Sequence, residues 1–104
     1  MISSKGYSHN LRGIYLGYLI KLLNKKYFVS MSPIAKELDM NSNYFRDFAR
    51  GLKNMPNEKL DLIEDFLYDL YGAILIDEVP QKHSEFQEFI TTLPNSLIYK
   101  EIVN

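Results

Sequence analysis

Ser42, Asn43, Arg46, Asp47 and Arg50 stand in one short stretch of the chain, at successive spacings of one, three, one and three residues. At about 100° per residue they share one face of a helix, and Tyr44, Phe45 and Phe48 share the opposite face. On a helix, these side-chain types suit the edges of base pairs. Asn takes adenine bidentately, Arg takes guanine O6 and N7, a carboxylate accepts from cytosine N4, and Ser goes to either base or phosphate. Ser42, Asn43, Arg46 and Asp47 are therefore expected to read bases, with orientation of Arg46 or Arg50 as the other role open to Asp47. Ser32, Asn41, Tyr44, Arg50 and Lys53 are the expected phosphate contacts, which fix register without reading sequence. Tyr44 serves equally as half-buried packing.

The elements that must position these residues are legible around them. Residues 35–51 read AKELDMNSNYFRDFARG. Ala35 and Leu38 end one short apolar run, and Asp39, Met40 and Asn41 interrupt it. A second run then starts with Asn41 as N-cap and carries Phe45 and Phe48 three apart. Gly51 stops that helix, as a residue tolerant of left-handed φ does.

This stretch resembles the helix-turn-helix of the lambdoid-repressor, or XRE-like, family, and the likeness spans roughly residues 16–71. Ala35, Leu38 and Gly51 stand where that family has its small residue in the second helix, the apolar residue three later and the glycine sixteen later. Lys53, Pro56, Leu60, Ile63 and Leu67 follow, matching a basic loop closed by Pro and an apolar helix. Three departures stand out. Asp39 replaces a turn glycine, Met31 and Ser32 replace a phosphate-gripping Gln, and Ala49 with Asn24 replaces an acidic–basic pair. The resemblance implies an all-α domain of four to five helices that binds duplex DNA, commonly as a two-fold dimer.

Composition bounds the alternatives. One domain's worth of chain, 104 residues with 46% hydrophobic, suffices for a packed core. With no cysteine there is no disulfide, zinc finger or thiol redox chemistry, which suits a cytoplasmic setting. Net charge is −1 but divides unevenly. Residues 1–56 carry nine basic against three acidic groups, a net of +6, and residues 57–104 carry three against ten, a net of −7. A basic front half suits a polyanion.

No catalytic or metal-binding constellation is expected, nor any cofactor. His9 and His83 lack a second ligand at metal spacing, and Glu64–Asp65 and Asp77–Glu78 are neighbours that a helix points apart. There is no glycine-rich phosphate loop. The apolar run at residues 13–20 is too short to span a membrane.

In chain order, residues 1–10 read as a flexible polar leader. Helix 1 is expected over residues 11–26, apolar on two faces. Leu16, Ile20 and Leu23 form one face; Leu11, Ile14, Tyr15, Tyr18 and Leu22 form the other, which needs its own cover. Gly13 and Gly17 are spaced for a close neighbour, or are simply tolerated. Residues 11–72 form the expected DNA-binding domain, its last helix capped by Asn57, burying Leu60, Ile63, Phe66, Leu67 and Leu70, and ended by Gly72. Residues 73–104 form a C-terminal extension. Within it, residues 73–79 read as a short strand, Ser84 and Gln87 as a capping box for the next helix, and Asn95 or Ser96 as the cap of a last one. This extension should fold back on helix 1, join two copies into a homodimer, or both. The function expected is sequence-specific DNA binding by a small transcriptional regulator of phage or mobile-element type. The competing reading is a non-catalytic interaction module that binds a protein partner through residues 73–104.

Overall fold

Nine of the nineteen residues of α1 (His9–Tyr27) are buried, and they lie on both of its faces. Around it the computed structural model, which describes residues 1–103, arranges α2 (Met31–Glu37), α3 (Ser42–Ala49), α4 (Asn57–Leu75), α5 (His83–Thr92) and α6 (Leu97–Val103). A 3-10 turn, Leu93–Asn95, joins the last two. The chain is all-α, with no strand among the described residues and no helix long and apolar enough to cross a membrane.

One face of α1 meets α3 and α4, where Leu16, Leu19, Ile20 and Leu23 share a core with Phe45, Phe48, Leu60, Ile63 and Leu67. The close approach of α3 is set by Gly17. A Cβ there would meet the Phe48 carbonyl oxygen at 3.2 Å, whereas one at Gly13 would meet only the Phe48 ring, at 3.9 Å.

The second face is covered by the C-terminal third, as its apolar residues demanded. Tyr15 packs edge-on against Phe86 and Phe89, with ring centroids 5.4 and 6.3 Å away, and Tyr18 packs on Phe89. Edge-to-face pairs of this kind add about 0.5–1.5 kcal/mol each beyond their buried area. The Tyr15 hydroxyl lies 2.8 Å from that of Tyr68, which donates to the Ile2 carbonyl. Burial, first of all, pushes both phenols above the ordinary tyrosine range, so they stay neutral.

Several local expectations are corrected. Residues 1–10 are docked rather than left as a leader: Ser4 is fully buried, and its backbone N–H, its hydroxyl and the Ser3 hydroxyl all donate to the buried Glu64 carboxylate. Buried Arg12 completes the cluster, 3.0 Å from Asp61 and 3.8 Å from Glu64. A buried carboxylate is costly unless charge and hydrogen bonds compensate it, and this terminal segment supplies the hydrogen bonds. Ser8, within the same segment, caps α1.

Residues 73–79 form no strand, and Gly72 does not end α4. The helix runs through Gly72 to Leu75 and gives way to turns anchored by buried Leu75 and Val79, so the boundary drawn there falls inside one element. A lone strand would leave its backbone groups unpaired, whereas helix and turns pair them locally, as from Ile76 N–H to the Gly72 carbonyl. Asn57 opens α4 instead of capping it, since the cap position is Pro56, and Leu70 is exposed. The cap position of α5 is Lys82, with no side-chain cap bond, so Ser84 and Gln87 form no capping box. Ser96 does cap α6, accepting from the Tyr99 N–H at 3.0 Å.

Gly17→Ala should lower the unfolding free energy by about 1–3 kcal/mol, through overpacking against backbone that cannot swing away. Gly13→Ala should be neutral, or stabilising by up to about 1 kcal/mol through helix propensity. Equal effects in urea denaturation would show that α3 does not approach α1 at Gly17.

Glu78 ties the end of α1 to the turn after α4. Burial alone would raise its carboxyl, but hydrogen bonds from Lys26, at 2.6 Å, and from Tyr27 outweigh burial and hold it below its ordinary value. A depressed folded pKa contributes stability in full above the unfolded value, near 4.5, and loses it as pH falls through the folded value. Glu78→Gln should therefore flatten the acid limb of the stability–pH curve. An unchanged limb would show that Glu78 is not held charged by the fold.

Candidate nucleic-acid interface

α3 is fixed at both ends and from below. Asn41 is its N-cap, with Oδ1 accepting from the backbone N–H of Asn43 at 2.9 Å and of Tyr44 at 3.1 Å. Gly51, at φ 79°, closes the other end: its N–H donates to the Phe48 carbonyl and the Leu52 N–H to that of Asp47, satisfying two terminal acceptors. Phe45, Phe48 and Ala49, all 3% exposed or less, hold the inner face. The turn before α3 places Asp39 at φ 56°, the left-handed conformation for which glycine is the usual residue and Asp a tolerated one. Met40 is buried beneath that turn and donates its N–H to the Ala35 carbonyl.

With α3 so held, Asn43, Arg46 and Arg50 are exposed, and Ser42 and Asp47 half-exposed. Asn43, Arg46, Asp47 and Arg50 form one wall of an open groove of about 540 Å³. Ser30 and Met31 at the start of α2 and Lys21 and Asn24 of α1 form the rest. Ser42 and Asn41 face a second open hollow with Ser32 and Lys36. Arg46 Nη2 donates to Ser32 Oγ at 3.1 Å, joining the candidate base reader to a candidate phosphate contact.

Not every candidate lies in this arrangement. The Tyr44 hydroxyl is spent on the Asn54 carbonyl, which braces the loop after α3. Lys53 is exposed on that loop, beside His9 and Asn10 in a narrow cleft apart from the groove. Sequence reasoning missed Lys21 and Lys36. The signal for Lys21 was its helical spacing: it stands one turn before Asn24, on the same face of α1. Asn24 is occupied in bracing the α1–α2 link, donating to the Val29 carbonyl at 3.0 Å. Ala49 is 1% exposed, and its carbonyl oxygen lies 3.5 Å from where a Cβ on Gly17 would be.

The groove is cation-crowded. Burial, then Lys25, then Arg50 hold the Lys21 ammonium below the ordinary lysine range. Asp47 is the groove's one carboxylate, so an anion entering it relieves repulsion rather than adding to it. Among the described residues no three His, Cys, Asp or Glu side chains gather where one metal ion would be held. His83 is exposed at the start of α5, and His9 Nδ1 lies 2.9 Å from Asn57 Oδ1. Compared with protein-family models, with curated proteins and with solved structures, the chain matches none of them.

The crowding predicts a stability effect of unusual sign. Because burial first, and then Lys25 and Arg50, disfavour the charged form of Lys21, Lys21→Gln should raise the thermal midpoint at low salt, and added salt should shrink the gain by the part that repulsion contributes while the part due to burial stays. A lowered midpoint, or a gain that salt leaves intact, would show that repulsion does not govern this groove.

Proposed function

We propose that the chain is a cytoplasmic, sequence-specific duplex-DNA-binding regulator of transcription, of phage or mobile-element kind, that lays α3 in the major groove. The observation that supports this most is the open, cation-crowded groove along the outer side of α3, with Asn43, Arg46 and Arg50 all exposed beside it. Short polar side chains and arginines on a helix buttressed from behind suit base-edge reading, and the lysines around them suit phosphates. In this reading Asn43 takes adenine, Arg46 takes guanine, Asp47 accepts from cytosine or steadies Arg46, and Ser42 pairs with either. Ser32, Asn41, Arg50, Lys53 and the newly placed Lys21 and Lys36 hold the backbone. Tyr44 contributes by fixing the loop that carries Lys53.

One α3 reads few base pairs, so two copies related by a two-fold axis are part of the proposal. Leu97 and Ile98, 76% and 54% exposed on α6, are apolar surface for that association. The rival reading, an interaction module that works through residues 73–104, draws less support. The buried apolar residues of that segment, Phe86, Ile90 and Leu93 among them, join the core around α1, and α3's outer face is left open.

Fluorescence anisotropy with selected and scrambled duplexes across a salt series tests the proposal. Arg46→Ala should cost about 1–3 kcal/mol on the selected site and relax preference at one base position. Lys53→Ala should weaken both duplexes alike and reduce the salt slope by about one phosphate contact per subunit. Absence of duplex binding even at low salt would sink the proposal. Equal losses on both duplexes for Arg46→Ala would move base reading to Asn43 and Asp47.

A further inference from the structure

Leu62, Phe66 and Leu70 recur every fourth residue along α4 and form a row about 12 Å long on its outer face. Leu62 and Leu70 are 54% and 61% exposed, and Phe66 is half-buried between them. Phe66, Leu70 and Tyr71 wall one side of a groove of about 270 Å³ whose other side is Pro33, Ile34 and Glu37 of α2. An apolar row beside a groove of this length matches one ridge of an incoming helix.

Charge defines the helix that fits. α4 carries five carboxylates and a single cation, Lys59, which the helical period puts at the N-terminal end of the row. Glu58, Asp65 and Asp69 follow one flank of the row by the same period, and Glu37 stands on the other flank. Among the described residues Glu37, Glu58 and Asp69 have no ion-pair partner. Asp65 already receives one: Lys5 lies across from it at 3.0 Å, so the chain's own terminal segment lays a lysine on this edge.

We propose that this groove docks a cationic amphipathic helix of a partner protein, with aliphatic side chains seated between α2 and α4 and lysine or arginine along both flanks. A second copy of the chain fits worse. An antiparallel two-fold pairing over this row sets Asp65 and Asp69 against themselves, and a parallel one sets them against Glu37, so carboxylates meet carboxylates either way. The proposal uses a surface separate from the α3 groove and does not depend on DNA binding.

The test is anisotropy of the full chain with a labelled designed helical peptide. It carries leucine at i, i+4 and i+8 and lysine on both flanks, and a control peptide carries glutamate in place of the lysines. The expected result is saturable binding of the lysine peptide only, weakened about tenfold or more by Leu70→Ser and by Glu37→Lys combined with Asp69→Lys. Leu62→Ser serves as a second apolar variant, and a thermal midpoint confirms that each is folded. No saturable binding, binding that Leu70→Ser leaves unchanged, or equal binding of the glutamate peptide overturns the proposal. So does sedimentation showing a dimer that Leu70→Ser dissolves, which would give the face to a second copy. Duplex affinity measured on the same Leu70→Ser protein should equal wild type, so failure here and failure of the DNA reading are told apart.

Discussion

The structure depends on a helix that water cannot be allowed to touch on two sides. Leu16, Leu19, Ile20 and Leu23 of α1 would satisfy a small helical core alone, but Tyr15, Tyr18 and Leu22 are also 2% exposed or less. Each fully buried aliphatic or aromatic side chain is worth about 1.5–3 kcal/mol, so leaving the second face open would forfeit a stabilisation comparable with the net stability of a domain. That deficit makes the C-terminal third part of one core. Phe86, Ile90 and Leu93 complete what α3 and α4 begin, and the terminal segment closes the remaining gap through Glu64.

A consequence reaches the candidate interface. Because α1 is gripped from both sides, it forms a rigid floor for α3, and the contact at Gly17 fixes how near α3 can sit. Held from beneath by Phe45 and Phe48 and at its ends by Asn41 and Gly51, α3 has little freedom in the side chains that anchor it. The freedom lies in those that point outward. The same floor carries Lys21 into the groove, where burial first, and then the nearby Lys25 and Arg50, disfavour its charge. Groups kept in an unfavourable field on an otherwise well-packed surface are where function is to be sought.

What was legible in the sequence was what local rules decide. The period of Phe45 and Phe48, the cap at Asn41, the stop at Gly51 and the two apolar faces of α1 all depend on spacings within a few residues, and each stands in the structure as read. What was misread depended on distant partners. The polar segment 1–10 has no core of its own, and partners some sixty or more residues away, Glu64 first, with Asp65 and Tyr68, give it a place. The β-branched run after Ala73 favours a strand in isolation, but α4's hydrogen-bond ladder was already running through Gly72 and no partner strand exists among the described residues to compete with it. Leu70 fits the apolar period of α4 and is nonetheless exposed, because periodicity reports a face without saying that anything covers it. At the candidate site the residues of α3 were legible by type, while Lys21 and Lys36 were not, since they arrive from other helices.

In the function we propose, the outer face of α3 and the basic side chains beside it meet duplex DNA. Titrating isotopically labelled protein with a selected duplex and following backbone amide and arginine side-chain resonances reports that face directly. The largest shifts are expected at Asn43, Arg46, Asp47 and Arg50, with smaller ones at Lys21, Ser32 and Lys36 and none along the outer face of α4. Shifts centred on α4 or α6, with the α3 resonances unmoved, would contradict the proposal.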